Sequence, residues 1–107
     1  MDDLQAVVAE AADAAGAHAT APALLLQLVT ALGRLSDTTN IATEGGRRPF
    51  RIPHEWSDQL SQLAYLVYLL ADQTAVELDI TVRSIAATVT AEAVGARAAA
   101  RHADSWL

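Results

Sequence analysis

Cysteine and lysine are absent from this sequence of 107 residues, and aromatic residues make up only 5% of it. Without cysteine the chain has no disulfide, no thiolate metal site and no cysteine nucleophile. All seven basic residues are arginine, and thirteen acidic residues bring the formal net charge to −6. Binding to nucleic acid or to an anionic membrane surface needs a basic face, so this charge balance argues against both.

The residues that are present are mainly apolar and small, since hydrophobic residues account for 52% of the chain and alanine dominates them. Alanine-rich segments favour helices that pack at short range. The length predicts a single domain, here residues 1–101, followed by a flexible tail at 102–107. The N-terminus begins with acidic residues, whereas a secretory signal begins with basic ones, and we therefore expect a cytoplasmic protein.

The segment from Trp56 to Thr74 predicts the helix around which the others are arranged. Ser57 is the expected N-cap, and Asp58 places a negative charge in the first turn, where the helix dipole favours it. Apolar residues that recur every three or four positions form the expected buried line, at Leu60, Leu63, Ala64, Val67, Leu70 and Ala71. Leu66 and Leu69 cover much of the remaining circumference, so we expect neighbouring helices on more than one side.

Three further helices are expected at about residues 2–15, 22–38 and 78–101, which makes the fold all-α with four helices. Gly16 suits the end of the first helix, and Thr20 with Pro22 suits the start of the second. The residues expected to be buried in the first helix are Leu4, Val7, Val8, Ala11 and Ala15. Those expected to be buried in the second are Leu25, Leu28, Val29, Leu32 and Leu35 or Ser36, with Leu24 and Leu26 widening the line.

One longer irregular segment, at about residues 39–56, precedes the central helix and contains two glycines and two prolines that disfavour helix. Arg47, Arg48 and Arg51 cluster within it. Either these arginines are solvated and pair with acidic residues of the chain, or they form a site for an anionic ligand or partner.

Two segments have an order of residues that resembles a known family. In residues 18–37 a proline opens a helix, and a leucine-rich run leads to a glycine near its end. In residues 58–82 a helix leads into Leu-Ala-Asp, then a break, then a Glu-Leu pair that starts the last helix. From about Leu4 to Val89, this layout resembles the MazG-like all-α nucleoside triphosphate pyrophosphohydrolases, the group that includes the dCTP pyrophosphatases.

In that family the motifs Glu-Glu-x-x-Glu and Glu-x-x-Asp hold Mg²⁺, which carries the triphosphate and activates water. The resemblance places these five carboxylates at positions that are all non-acidic here, namely Thr30, Ala31, Arg34, Gln59 and Gln62. The family's Lys and Asn in the last helix fall on Ile85 and Val89. The resemblance therefore implies a MazG-like bundle whose metal site has been lost.

Magnesium prefers carboxylate oxygens, and Arg34 would place a positive charge where the metal is held. Two cations about 4 Å apart at an effective dielectric constant of about 20 cost ~4 kcal/mol. We therefore expect no catalytic residue, no metal ligand and no cofactor. Mg²⁺ stays as the alternative if neighbouring acids, Asp37 and Asp58, replace the lost carboxylates.

Three functional classes remain open. The first is a catalytically degenerate MazG-like protein that acts as a non-hydrolytic binding or partner subunit, with a nucleotide or a second protein as its partner. The second is a pyrophosphohydrolase with weak or altered metal-dependent activity. The third is an unrelated helical interaction module whose likeness to the family is convergent.

Two structural expectations accompany these classes. Because the central helix has apolar residues on two faces, we expect a homo-oligomer, a dimer or a tetramer, with a two-fold interface on the second and third helices. We also expect Arg34, Gln59 and Gln62 to form a hydrogen-bonded cluster that replaces the metal site, since a buried guanidinium needs acceptors. The cluster either only ties the two helices together or, with Arg47, Arg48 or Arg51, receives a phosphate-bearing ligand.

Overall fold

A computed structural model describes residues 3–16 and 19–104, and in these ranges the chain is all-α, as predicted, with four helices and no strand. The chain divides into two compact units, residues 1–76 and residues 77–107. Three helices belong to the first unit and one to the second. Their bounds are α1, Leu4–Ala15; α2, Ala21–Ala42; α3, Trp56–Gln73; and α4, Leu78–Asp104.

Helix α1 ends before Gly16, as predicted, and begins at Leu4, two residues after the predicted start. Asp3 is the N-cap residue, and its carboxylate accepts a hydrogen bond from the backbone N–H of Gln5. Gly16 ends the helix in the left-handed conformation, with φ of 64°, which costs glycine little. The buried residues are Val8 and Ala12, so the expected buried line was wrong in that the remaining four side chains are exposed: Leu4, Val7, Ala11 and Ala15.

Helix α2 starts as expected, with the Thr20 side chain accepting from the backbone N–H of Ala23 and Pro22 in the first turn. It is longer than predicted, because it continues through Thr38 to Ala42. The hydroxyl groups of Thr39 and Thr43 donate to the carbonyls of Leu35 and Thr39, four residues earlier in each case. The Thr39 bond satisfies its hydroxyl within the helix, which continues past it, whereas Thr43 is the C-cap residue at which the helix ends.

The buried face of α2 is rotated around the helix axis from the predicted face by about 100°, the angle between adjacent residues. Its buried residues are spaced for a single face, at Leu24, Ala31, Leu35 and Thr38. Leu24 is 1% exposed, whereas the adjacent Leu25 is 55% exposed. The prediction that Leu25, Val29 and Leu32 are buried is therefore wrong for the single chain, in which each is more than half exposed.

The segment between α2 and α3 covers residues 43–55 and is four residues shorter at its start than predicted. It turns sharply at three successive residues with positive φ: Glu44, Gly45 and Gly46. Further along, the ring of Phe50 meets the ring of Trp56 edge to face, with centroids 5.1 Å apart. This contact joins the segment to the first residue of α3, and aromatic pairs in this geometry are mutually attractive.

Helix α3 lies between α1 and α2 and contacts both, which confirms that it is wrapped on more than one side. Ser57 is not its N-cap; Glu55 holds that position without a side-chain bond, and Asp58 lies in the first turn as expected. Leu69 and Ala71 are buried, which confirms the prediction for Ala71, whereas three other predicted core residues are exposed: Leu60, Ala64 and Val67. The predicted set of buried residues is partly wrong because α3 has leucines on several sides, so the periodicity does not single out one buried face.

The core of the first unit is small and joins all three of its helices. It consists of Val8 and Ala12 from α1, Leu24 from α2 and Leu69 from α3. After α3 the chain turns through Ala75 at φ of 57°, with the backbone N–H of Val76 donating to the Ala71 carbonyl. This is the paired-bond ending known as a Schellman motif, in which glycine is the usual residue at the left-handed position.

The second unit consists of α4, whose 27 residues make it about 40 Å long. Arg83 and Asp79 form an ion pair of 2.9 Å one turn apart near its start. The helix continues without interruption past Gly95 and through residues 102–104, which were predicted to belong to the tail; residues 105–107 lie outside the described part. Of the described helices, none is long and apolar enough to cross a membrane.

Candidate functional site

A cavity of about 460 Å³ lies between α2 and α3, and we call it the α2–α3 pocket. Helix α2 supplies one wall with residues spaced four apart along one side, and helix α3 supplies the other. The lining residues are Leu26, Gln27, Thr30, Ala31 and Arg34 from α2, and Gln62, Tyr65 and Leu66 from α3. No carboxylate is among them, and Arg34 is the one charged residue of the lining.

Four of the five positions at which the resemblance expects carboxylates line this pocket: Thr30, Ala31, Arg34 and Gln62. The fifth, Gln59, does not. Its side-chain oxygen accepts a hydrogen bond of 2.7 Å from the hydroxyl of Thr38, which is itself buried between α2 and α3. Gln59 therefore joins the two helices, and no local sequence signal identifies Thr38 as its partner.

The expected cluster of Arg34, Gln59 and Gln62 is not formed. The Gln62 amide donates a hydrogen bond of 2.9 Å to the Asp58 carboxylate, one turn earlier on the same helix. Arg34 is exposed, and within residues 3–16 and 19–104 its guanidinium has no hydrogen-bond or ion-pair partner. An exposed guanidinium is hydrated, so the need for acceptors that motivated the cluster does not arise.

The arginines of the connecting segment lie elsewhere. Arg48 forms an ion pair of 3.2 Å with Glu44, and it lines a smaller cavity of about 280 Å³ together with Ala42, Pro49 and Arg51. Arg47 lines neither cavity. Of these two cavities, Arg34 lines the α2–α3 pocket only, and none of the three loop arginines lines that pocket. The loop arginines and Arg34 therefore do not line a common cavity.

The residues around the α2–α3 pocket do not fit a magnesium ion. Magnesium needs hard oxygen ligands in octahedral geometry, and carboxylates usually supply some of them. The described residues contain no group of three His, Asp or Glu side chains placed to hold a metal. The two acids expected as possible substitutes, Asp37 and Asp58, do not line the pocket. Asp58 accepts a hydrogen bond from Gln62, and Asp37 is exposed on α2.

A second cavity, of about 340 Å³, lies between α1 and α3 and was not predicted from the sequence. Its lining is mostly apolar and aromatic: Leu4, Val8, Ser61, Ala64, Tyr65 and Tyr68. Tyr65 and Tyr68 are three residues apart and so lie on the same side of α3. That spacing is the local sequence feature from which an aromatic wall could have been predicted. The Tyr65 ring lines both this cavity and the α2–α3 pocket.

The apolar residues of α2 that remain exposed form a separate surface, which we call the outer strip and define as Leu25, Val29 and Leu32. At about 100° per residue, the outer strip lies about 160° around α2 from the side that lines the pocket. Gly33 adjoins it, and a Cβ atom at that position would meet nothing within 4 Å. The strip and the pocket are therefore independent features of one helix.

Comparisons with protein-family models, with curated proteins and with solved structures found no match to this chain.

Proposed function

We propose that this chain is a MazG-like helical scaffold that has lost the family's metal chemistry and acts as a non-hydrolytic binding or partner subunit. The observation that supports this is the lining of the α2–α3 pocket. Four positions that would carry carboxylates in the family meet there, and in this chain they supply a hydroxyl, a methyl, a guanidinium and an amide. A pocket with this lining can hold a ligand, but its only charge is positive.

The chemistry available to these groups is binding alone. Hydrolysis of a triphosphate by the family's route needs a metal to neutralise the phosphates and to activate water. Thr30 is engaged with its own helix, since its hydroxyl donates to the Leu26 carbonyl. A general base must accept a proton, but the Gln62 amide has no acid–base function and a guanidinium offers N–H donors and no acceptor, so neither Gln62 nor Arg34 activates a water in this way.

A nucleotide-hydrolysis assay tests this proposal. Purified protein is incubated with dCTP and the other nucleoside triphosphates in Mg²⁺ or Mn²⁺, and pyrophosphate is measured. We expect no release above the buffer control. Release that scales with protein concentration and is lost in Asp58→Asn would overturn the proposal in favour of an altered hydrolase, because Asp58 is the acid bonded to the pocket residue Gln62.

A second experiment tests whether the five positions matched to the family's carboxylates are the right ones, by restoring a carboxylate at each of them. The variant carries Thr30→Glu, Ala31→Glu, Arg34→Glu, Gln59→Glu and Gln62→Asp. A control with the same change in charge places five carboxylates on exposed positions of α4: Ser84→Glu, Thr88→Glu, Thr90→Asp, Ala91→Glu and Arg97→Glu. We expect saturable Mn²⁺ binding by the first variant and not by the second.

Ala31 is buried, so the variant without Ala31→Glu is prepared as well, and circular dichroism establishes that each protein is folded. Equal Mn²⁺ binding by a folded restored variant and by the control would show that the positions do not form a metal site. In that case the resemblance would have the wrong register.

We also propose that the chain forms a two-fold homodimer through the outer strip. What supports this is the exposure of Leu25, Val29 and Leu32 side by side on one face of α2. A two-fold axis brings the same patch of both copies together, so an apolar strip can cover itself. Contiguous apolar surface of this kind typically marks an interaction site.

A further inference from the structure

Three polar groups on the wall of the α2–α3 pocket have no hydrogen-bond or ion-pair partner within the described part of the chain. They are the Arg34 guanidinium, the Gln27 amide and the Tyr65 hydroxyl. The remaining wall is largely apolar, with Leu26 and Leu66 as its large aliphatic side chains. The pocket thus combines one free cation and two neutral polar groups with an apolar surface, which is the usual composition of a small-molecule site.

The charge of the pocket limits the ligand to a weakly charged anion. A triphosphate brings several negative charges and usually a Mg²⁺ ion, whereas this lining supplies a single positive charge and no metal ligand set. Arg48 and Arg51 line another cavity and do not add to it. The chain as a whole carries a net charge of −6, which further disfavours a polyanion.

We infer that the α2–α3 pocket binds a small organic monocarboxylate, with the carboxylate on the Arg34 guanidinium and the apolar body against Leu26 and Leu66. The planar guanidinium presents two parallel N–H groups that match a carboxylate in geometry. The cavity of about 460 Å³ suits a ligand of this size. This inference rests on the proposed function, because it names what a non-hydrolytic site in this chain holds.

A titration with matched probes tests the inference. The probes are 4-phenylbutyrate, its neutral amide 4-phenylbutyramide and inorganic phosphate, each followed by ¹H–¹⁵N NMR and calorimetry on the full chain. We expect saturable binding of 4-phenylbutyrate, with shifts at α2 and α3 residues of the pocket. The amide keeps the apolar contacts but loses the charged pair, so it should bind about tenfold more weakly or worse. Phosphate should not bind.

Variants locate the binding. Arg34→Ala should weaken the binding of 4-phenylbutyrate by about tenfold or more. Arg34→Lys should have an intermediate affinity, because lysine keeps the positive charge but lacks the two parallel N–H groups of the guanidinium. Arg97→Ala is the control, since Arg97 is also an exposed helical arginine but lies on α4. It should leave the affinity unchanged. Arg34 has no partner in the described chain, so its replacement should leave the fold intact.

Several results would overturn the inference: no saturable binding of 4-phenylbutyrate, equal affinity for acid and amide, tighter binding of phosphate, or equal losses in Arg34→Ala and Arg97→Ala. These failures are distinct from failure of the proposed function. Pyrophosphate release from nucleotides refutes the proposed function whatever binds the pocket. A chain that neither hydrolyses nucleotides nor binds the carboxylate refutes the ligand inference alone.

Discussion

The hydroxyl of Thr38 donates a 2.7 Å hydrogen bond to the side-chain oxygen of Gln59 and thereby joins α2 to α3 at the end of their interface. Thr38 is the one buried polar residue in the described part of the chain. A buried polar group that keeps a partner adds modestly to stability, whereas one that loses its partner costs more. The pair therefore adds a polar contact to the packing between the two helices.

Replacing Thr38 by valine keeps the shape of the side chain but removes the donor. We expect Thr38→Val to lower the free energy of unfolding by about 1 kcal/mol, because the Gln59 oxygen loses its partner in a half-buried position. Thr30→Val is the control, since Thr30 lies on the same helix but is exposed and bonds only within α2. Urea unfolding followed by circular dichroism compares the two. Equal effects would mean that the Thr38–Gln59 bond contributes nothing.

Leu24 and Leu25 are adjacent and chemically identical, but only Leu24 belongs to the core. We expect Leu24→Ala to destabilise the chain by about 2–5 kcal/mol through the cavity that it leaves. Leu25→Ala should cost less than about 1 kcal/mol in the monomer, because an exposed leucine buries little area. Thermal unfolding of both variants at low protein concentration measures the difference. A larger loss for Leu25→Ala would mean that the buried face of α2 is the one predicted from its leucine pattern.

The helix ends of this chain could be predicted because their signals are local. Gly16, Thr20 and Pro22 act through their own backbone conformation or through bonds to residues nearby, and the structure has all three in the predicted roles. The end of α2 could not be predicted in the same way. The pattern predicts an end at Thr38, whereas the helix continues to Ala42, and Thr38 bonds to Gln59 of another helix.

The buried faces of the helices could not be predicted from the periodicity of apolar residues. Leucines at 24, 25, 26 and 28 place apolar residues on nearly every side of α2, so periodicity alone does not choose among them. The choice depends on contacts with Val8 and Leu69, which are distant in sequence. The same limit applies to the site: the layout of the two motifs brought Thr30, Arg34 and Gln62 to one pocket, but the separate partner of Gln59 had no local signal.

The outer strip predicts concentration-dependent association. We expect the unmodified chain to sediment as a dimer at micromolar concentration and Val29→Glu to sediment as a folded monomer, because the new charge cannot be buried without a partner. Gln73→Glu adds the same charge at an exposed position away from the strip and should stay dimeric. A well-folded monomer for the unmodified chain, or dissociation of both variants, would refute an interface at the outer strip.

Ala75 offers a substitution that should stabilise the protein. Its φ of 57° is unfavourable for a residue with a Cβ atom and costs glycine little. We expect Ala75→Gly to raise the free energy of unfolding by up to about 1 kcal/mol. Ala11→Gly, at an exposed position inside α1, should lower it by a similar amount, because glycine weakens a helix interior. Chemical unfolding of both variants checks the opposite signs; a loss of stability in Ala75→Gly would contradict the left-handed turn.

The position of Tyr65 makes the two cavities of the first unit share a wall. Because one side chain forms part of both walls, a change in the Tyr65 side-chain torsion alters the shape of both cavities at once. A molecule in one cavity that shifts this torsion changes the affinity of the other cavity, and the coupling free energy is the same in both directions.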